Sequence, residues 1–269
     1  MKKIILFIII SGIFIILIST KAIKNKNIIK KNTNDFKHIV NFKKKLKYRY
    51  SNYYRNNRNL KTEDIVTRVN IGLDKPFYTN TNPTPHLNKI YILVNKYLYL
   101  DKTYIPNNLV KTNIDYSKNG MMLVKEAKDM FEKMYYDSKK EGYNIRIMSS
   151  YRSYEYQKKL YNDYKQKEGI KEADKYSARA GFSEHQTGLC VDIDDKKFNY
   201  ENFDKSNSYK WMINNSYKYG FILRYPKNKE KITGYIYEPW HYRYVGIDIA
   251  TFIHNNDITF DEYYAKYIK

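Results

Sequence analysis

One short stretch of the sequence carries two side chains that could bind a metal ion together. Residues 183–193 read SEHQTGLCVDI, in which His185 and Asp192 lie seven positions apart with a glycine between them. Glycine permits a turn, and the alternation in LCVDI predicts a strand that sends Asp192 to the face opposite Val191 and Ile193. Two interpretations are open: two ligands of one metal ion, or a buried histidine near an unrelated carboxylate.

A second stretch, EPWH, adds another carboxylate and another histidine. Glu238 and His241 are three residues apart, and a regular strand would send such a pair to opposite faces, so we expect this segment to be turned. A hydrolytic zinc site needs about three His, Asp or Glu ligands, an open position for water and a nearby carboxylate that takes the water proton. His185, Asp192 and His241, together with Glu238, meet that requirement.

The elements that must position these side chains are helices mixed with short strands. The pattern shows no regular βαβ alternation, which favours an α+β fold. Helices are predicted at about 122–142, 153–167, 206–219 and 246–268. Strands are predicted within 143–151, 189–193, 221–225 and 234–245. The single cysteine, Cys190, lies in an apolar run and is predicted to be a small buried residue.

Composition divides the chain into three parts. Residues 1–20 combine two lysines with an apolar run and predict a signal peptide or membrane anchor, and the lack of a small-residue cleavage signal favours the anchor. Residues 21–59 are rich in Lys and Asn and predict a basic stalk. Residues 60–269 predict the globular domain. The lysines after the apolar run would keep residues 21–49 in the cytoplasm, which conflicts with an extracytoplasmic stalk.

The positive charge is concentrated near the N-terminus. The formal net charge is +21, and residues 1–49 hold 12 Lys and one Arg against one Asp, leaving +9 for the rest. Such a block could contact nucleic acid, anionic lipid or anionic wall polymers, or remain a solvated stalk without a partner. Its position beside the membrane segment favours lipid or wall polymers, so no nucleic-acid partner is expected.

The two stretches together resemble a known family signature. S-x-H-x-x-G-x-x-x-D, followed about fifty residues later by E-x-W-H, is similar to the signature of the VanY-like zinc D-alanyl-D-alanine carboxypeptidases, which trim bacterial peptidoglycan stem peptides. SSYRSYEYQ and YGFILRYPKNKEKITGYIYEPWHYRYVG also resemble family segments, so the likeness covers about residues 60–265. It implies a small antiparallel sheet with a zinc site on one face and helices on the other, as in hedgehog and lysostaphin-like peptidases.

The resemblance also implies roles for individual residues. One Zn²⁺ per chain would be held by His185, Asp192 and His241. Glu238 would be the catalytic base and later the proton donor. From the family's YRS-x-x-x-Q segment, Arg152 and Gln157 would bind substrate, with Arg152 also steadying the reacting carbonyl, and Ser183 would contact substrate. Two non-ligand positions depart from the family pattern: Cys190 replaces the usual alanine, and Ala180 replaces a proline.

The function implied is that of an extracytoplasmic carboxypeptidase, anchored to the cell membrane or secreted to the wall. We expect a zinc-dependent D,D-carboxypeptidase that removes the terminal D-alanine from peptidoglycan stem peptides. An L,D-carboxypeptidase or an endopeptidase acting on the same peptides would use the same metal machinery, since the ligands do not encode the residues beside the scissile bond. A catalytically idle module that binds the cell wall is an alternative of another class.

Overall fold

The computed structural model describes Thr20 and residues 36–268, which divide into two compact units between Asp74 and Lys75. Apart from Thr20, the predicted signal or anchor segment lies outside the described residues, as does the first part of the predicted stalk, 21–35. Among the residues that are described, no helix is both long and apolar enough to cross a membrane. The predicted start of the globular domain at residue 60 stays a prediction.

The first unit, described from residue 36 to residue 74, is helical. A 3₁₀ helix, Lys44–Leu46, leads into α1, Lys47–Asn56, and α2 spans Thr62–Ile71. These elements enclose a small apolar cluster whose buried members are Phe36, Tyr50, Ile65, Val66 and Val69. Residues 36–59, which composition assigned to the stalk, therefore contribute to a packed core. The abundant Lys and Asn between the apolar positions hide this core in the sequence.

The second unit contains a four-stranded antiparallel sheet with the strand order β5-β6-β8-β7. β5 is Arg146–Ser149, β6 is Cys190–Asp194, β7 is Phe221–Leu223 and β8 is His241–Tyr244. Two smaller pairs accompany it: β1, Asn82–Pro83, is parallel to β2, Leu98–Tyr99, and β3, Leu109–Lys111, is antiparallel to β4, Met122–Val124. The predicted α+β fold with a small antiparallel sheet is confirmed.

Seven helices of the second unit follow or separate these strands in the described chain. Their bounds are α3 Lys125–Lys140, α4 Tyr154–Glu168, α5 Ile170–Tyr176, α6 Asn207–Asn215, α7 Glu230–Thr233, α8 Ile247–Asn256 and α9 Phe260–Tyr267. Short 3₁₀ helices lie at Glu184–Thr187, Tyr200–Lys205 and Ser216–Tyr219. Side-chain caps start two of the predicted helices, because Ser153 Oγ accepts from Tyr156 N and Ser206 Oγ accepts from Tyr209 N.

Three predicted elements differ from the observed ones. The helix expected from residue 122 starts at Lys125, because Met122–Val124 pair with Leu109–Lys111 as a strand instead. The expected C-terminal helix is two helices, since Asp257 adopts a left-handed conformation and Thr259 starts α9 with a capping box. Within 234–245, only His241–Tyr244 form a strand.

One face of the sheet packs into the main apolar core. Ile147 of β5, Val191 and Ile193 of β6 and Tyr242 of β8 are fully buried there, together with Phe131 and Met134 of α3. Because successive strand residues point to opposite faces, Asp192 and His241 lie on the other side of the sheet. The alternation that buries the hydrophobic residues therefore also brings the polar ones to a shared face.

Candidate functional site

A short 3₁₀ helix and the strand after it position the first predicted ligand pair, His185 and Asp192. Ser183 Oγ accepts a hydrogen bond from His185 N at 3.3 Å and caps the helix, and Gly188 ends it with a φ of +66°. A Cβ on Gly188 would come within 2.8 Å of Leu109 Cδ2. Glycine is required here by both conformation and space, and the chain then enters β6 with Asp192 on the face away from the apolar core.

The second predicted pair is brought in by β8. Its first residue, His241, lies directly opposite Asp192 in the antiparallel register. Glu238 precedes a turn at Pro239 and Trp240, and its N–H donates to Tyr225 O at 3.1 Å while its carbonyl accepts from His241 N at 3.3 Å. The EPWH segment is thus turned, as its three-residue spacing predicts, and Glu238 stays on the same side as His241.

The ligand atoms of the three predicted metal-binding residues converge. Nε2 of His185 lies 3.2 Å from Oδ2 of Asp192, and Nδ1 of His241 lies 3.0 Å from Oδ1 of Asp192. The other ring nitrogen of His185, Nδ1, lies 2.6 Å from the Ser150 carbonyl oxygen. Because a carbonyl only accepts, Nδ1 carries the proton and Nε2 presents its lone pair.

This arrangement fits a zinc ion. Donor atoms at 2.0–2.2 Å from a tetrahedral zinc lie about 3.3–3.6 Å from one another. In the structure, Nε2 of His185 and Nδ1 of His241 lie 3.2 and 3.0 Å from the two different oxygens of Asp192, so both histidines reach one carboxylate at nearly this spacing. Two imidazoles and one carboxylate form a donor set that zinc binds in hydrolytic sites. His185 and His241 are each 4% exposed and Asp192 is 8% exposed, so these polar groups are withdrawn from solvent around one point.

A cationic side chain already contacts two of the ligand atoms. Nη2 of Arg152 lies 2.7 Å from Nε2 of His185 and 2.8 Å from Oδ2 of Asp192. Nη1 donates to Oε1 of Gln157 at 2.9 Å, and Nε donates to Oγ of Ser149 at 3.0 Å. The lone pairs of His185 and Asp192 therefore attract positive charge. Two neutral side chains, Gln157 and Ser149, hold Arg152 at the centre of the site.

Gln157 is buried, with only 1% of its surface exposed. Its Nε2 donates to the Ala178 carbonyl at 2.7 Å while its Oε1 accepts from Arg152. Both ends of the amide are thereby satisfied by the protein. Sequence resemblance implied that Gln157 binds substrate, and in the structure it lines the same cleft while its hydrogen bonds go to Arg152 and the backbone.

The two carboxylates at the centre have pKa values displaced in opposite directions. Burial raises the pKa of Glu238 to about 8; His241 lowers it and the Asp192 carboxylate raises it further. Burial would also raise the pKa of Asp192, but His185, His241 and Arg152 outweigh it and hold this pKa well below its usual range. Oε2 of Glu238 lies 3.7 Å from Nδ1 of His241. Paired carboxyl groups of this kind can divide the roles of charged ligand and proton carrier.

A cleft of about 740 Å³ gives access to these groups. All of the predicted site residues line it: Arg152, Gln157, Ser183, His185, Asp192, Glu238 and His241. Tyr200 and Trp240 also line the cleft, and their rings meet edge to face with centroids 5.2 Å apart. The cleft is large enough for a peptide end and opens directly onto the convergent donor atoms.

Two residues beside the predicted ligands have contacts with the site that the sequence does not reveal. Cys190 is buried as predicted, but it shares its strand face with Asp192, and its Sγ lies with ligand nitrogens of His185 and His241 in a group no more than 4.8 Å across. Burial raises the pKa of the Cys190 thiol, and the two histidines outweigh that effect and lower it to about 7. Glu184, directly before His185, is also buried beside the site, and its contacts with Arg224 and Arg243 are not visible in the sequence.

Known proteins are similar to this chain in sequence and in fold. The VanY family, described as D-alanyl-D-alanine carboxypeptidase, matches residues 120–247. The chain is 43% identical over 184 residues to the YodJ protein of Bacillus subtilis (strain 168), covering 66% of this chain and 67% of YodJ.

Two solved structures are also similar. The structure of the LdcB LD-carboxypeptidase has 44% sequence identity and a TM-score of 0.61, covering 65% of this chain and 85% of that chain. The second is a mutant of the D,D-pentapeptidase VanY from a VanB-type resistance cassette, solved with Zn(II). It has 32% identity and a TM-score of 0.54, and the match covers 64% of this chain and 97% of that chain. The chain therefore belongs to the VanY D-alanyl-D-alanine carboxypeptidase family, whose members are zinc metallopeptidases of cell-wall peptidoglycan.

Proposed function

We propose that this chain is a zinc-dependent carboxypeptidase that removes the C-terminal D-alanine from peptidoglycan stem peptides. One zinc ion per chain would be held by Nε2 of His185, a carboxylate oxygen of Asp192 and Nδ1 of His241. The observation that supports this proposal most strongly is the convergence of the two histidines on Asp192, with one ring nitrogen of each at 3.0 and 3.2 Å from its carboxylate oxygens. When bound, zinc would lower the pKa of a water molecule and polarise the scissile carbonyl.

Glu238 is proposed as the proton carrier. Its carboxylate accepts a proton from the attacking water and delivers it to the departing amine of D-alanine, so that the carboxylate is regenerated at the end of the cycle. Its burial and its position 3.7 Å from the zinc-directed nitrogen of His241 support this role. A catalytically idle wall-binding module would have no need for a buried carboxyl group at this position.

Arg152 is proposed to bind the substrate carboxylate or the developing oxyanion. The planar guanidinium offers several fixed donors, so it can form two parallel hydrogen bonds with a carboxylate. Nη1 and Nε donate to Gln157 and Ser149, and Nη2 lies at the proposed reaction centre, in contact with His185 and Asp192. We assign Gln157 to the same task through its hold on Arg152, and Ser183 to substrate contact at the cleft wall.

Two stem peptides are candidate substrates. The motif resemblance implies D,D-cleavage of the pentapeptide, which ends in D-alanyl-D-alanine. One observation favours L,D-cleavage of the tetrapeptide: the chain is 44% identical to the LdcB LD-carboxypeptidase and 32% identical to the VanY D,D-pentapeptidase. An endopeptidase acting on cross-linked peptides is a further variant of the same chemistry.

The cellular setting follows from the substrate. Stem peptides lie outside the cytoplasm, so we propose an extracytoplasmic enzyme that is either tethered by the N-terminal segment or secreted to the wall. The lysines of residues 21–35 and the exposed lysines of the first unit would contact anionic wall polymers or lipid headgroups through charge alone. No nucleic-acid partner is proposed.

A direct experiment separates these possibilities. The zinc-loaded chain is incubated with synthetic stem tetrapeptide, pentapeptide and a cross-linked dimer, and the products are followed by mass spectrometry. The proposal predicts loss of one alanine from the tetrapeptide, the pentapeptide or both. Cleavage of the dimer alone would indicate an endopeptidase. Failure to cleave any of the three, with zinc bound, would contradict the proposed activity and favour a binding module.

A further inference from the structure

The buried carboxylate of Glu184 pairs with two arginines and lies next to His241, on the side of the ring away from the proposed zinc ion. Glu184 is 2% exposed, and its Oε1 accepts hydrogen bonds from Nε of Arg224 at 2.9 Å and from Nη1 of Arg243 at 3.0 Å. Two buried guanidinium groups therefore hold this carboxylate from one side.

The second oxygen of this carboxylate has no such partner. Within the described residues, Oε2 of Glu184 accepts no hydrogen bond, and Nε2 of His241 is likewise buried without one. These two atoms face each other across 3.7 Å. That separation is just beyond hydrogen-bond length, so a buried acceptor and a buried ring nitrogen lie next to each other, each lacking a partner.

The position of Nδ1, the other ring nitrogen of His241, determines whether Nε2 carries a proton. Nδ1 lies 3.0 Å from Oδ1 of Asp192 and points into the proposed zinc centre. A neutral imidazole that offers a lone pair at Nδ1 carries its proton at Nε2. A buried N–H needs an acceptor, and Oε2 of Glu184 is the unpartnered acceptor beside it.

We propose that Glu184 is a positioning residue for the zinc site, acting through His241 by accepting a hydrogen bond from its Nε2–H. This inference rests on the proposed function, because it concerns a ligand of the proposed zinc ion. The hydrogen bond fixes the tautomer that directs the Nδ1 lone pair at the metal and makes that nitrogen more basic. Arg224 and Arg243 hold the carboxylate in place, so it does not turn away from the ring.

The network supplies a control for purely structural effects. Nη1 of Arg224 also donates to Oδ2 of Asp261, at 2.6 Å, and Asp261 is 1% exposed. Asp261 therefore belongs to the same buried ion network, but its hydrogen bonds go to Arg224 and to Asn95, whose Nδ2 donates to Oδ1 at 2.8 Å. Its loss should weaken folding without altering the tautomer of His241.

The test compares Glu184→Gln with Asp261→Asn by zinc affinity, measured by competition with a chromogenic chelator. In Glu184→Gln, an amide oxygen still accepts from the two arginines, and the amide N–H groups then oppose the N–H of His241. We expect zinc affinity to fall about 10- to 100-fold, as it does when a partner of a metal-bound histidine is removed. Turnover of stem peptide at subsaturating zinc should fall in parallel, and excess zinc should restore part of it.

The outcomes distinguish this inference from the proposed function. Asp261→Asn should bind zinc like the wild type while unfolding at a lower temperature. Equal zinc affinity in wild type and Glu184→Gln, or equal losses in both variants, would overturn the positioning role alone. A wild-type chain that fails to bind zinc would contradict the proposed function itself. If Glu184→Gln does not fold, a crystal structure of the zinc-loaded wild type decides: Nε2 and Oε2 within about 3.2 Å support the role, and a wider gap overturns it.

Discussion

Gln157 holds Arg152 in place through a hydrogen bond of 2.9 Å from Nη1 of the arginine to Oε1 of the glutamine. The glutamine is in turn fixed by its bond to the Ala178 carbonyl. Arg152 reaches the ligand atoms of His185 and Asp192 from this anchored position. A surface glutamine of helix α4 would have had no such effect, so its burial beside the site gives it a specific task.

Gln157→Leu should weaken catalysis by loosening Arg152. Removing a hydrogen bond to a charged group costs about 1.5–3 kcal/mol, which corresponds to a loss of about 10- to 100-fold in kcat/KM. Steady-state kinetics on the preferred stem peptide measure this loss, and zinc content should not change. The exposed neighbour Lys158→Gln serves as the control. Unchanged kcat/KM in Gln157→Leu would show that Arg152 needs no such support.

Lys96 provides a prediction about pH and stability. It is 3% exposed, its Nζ donates to the carbonyls of Asp174 and Gly234, and it lies 4.2 Å from the Tyr235 ring centroid. Burial lowers its pKa from 10.5 to about 8, although Asp174 raises it in part. Between about pH 8 and 10.5 the unfolded chain binds more protons at this position, so the Lys96 contribution to stability rises with pH.

The Lys96→Met variant should lack this rise. Unfolding free energies from urea titrations at several pH values between 7.5 and 10.5 give the difference between wild type and variant. We expect the difference to shift in favour of the wild type as the pH increases through this window. Lys102→Met, at an exposed position, controls for the loss of a lysine as such. A difference that is constant with pH would contradict the depressed pKa.

Gly220 ends the 3₁₀ helix before β7, at a position where a side chain would have little space. Its φ is +82°, and a Cβ there would lie 2.6 Å from Cε2 of Tyr244, whose hydroxyl is bound to Glu126 at 2.7 Å. Gly120 has a similar φ of +83° but no atom within 4 Å of a Cβ. An alanine at either position would have the same unfavourable backbone conformation, but only an alanine at position 220 would also clash with a neighbouring side chain.

Gly120→Ala should cost about 1–2 kcal/mol through left-handed backbone strain alone. Gly220→Ala should cost a further 1–3 kcal/mol, about the penalty for overpacking a filled core. Thermal or urea unfolding of both variants measures the two effects. A Cβ at position 220 would also lie 3.0 Å from the carbonyl carbon of Gly246, so equal destabilisation would mean that both the Tyr244 ring and this backbone move aside freely.

Sequence patterns predicted which residues lie together at the centre of the cleft better than they predicted what surrounds them. Alternation, a glycine turn and the three-residue spacing act locally, and the family resemblance joined the two stretches that hold His185, Asp192, Glu238 and His241; the roles of these residues stay predictions. The role proposed for Glu184 could not be found, since it depends on Arg224 and Arg243, which are 40 and 59 residues away. Its pairing exists only once β7 and β8 have been brought next to the 3₁₀ helix.

The fold class was predicted correctly, and the details that were wrong have similar causes. Met122 and Val124 fit a helical period, but pairing with Leu109–Lys111 outweighs local preference and makes them a strand. The core around Phe36 and Tyr50 was hidden because its members are scattered among lysines and asparagines. Propensity and periodicity describe neighbours along the chain, and these features depend on partners that are distant in sequence.

The central claim is that Glu238 carries the proton for zinc-dependent release of D-alanine, and one measurement tests it most directly. Wild type and Glu238→Gln are loaded with zinc, their metal content is determined by mass spectrometry, and D-alanine release from the stem peptides is followed. We expect one zinc per chain in both proteins and a rate about 100- to 10,000-fold lower in the variant, the range for loss of a general acid–base. Equal rates with equal zinc content would contradict it.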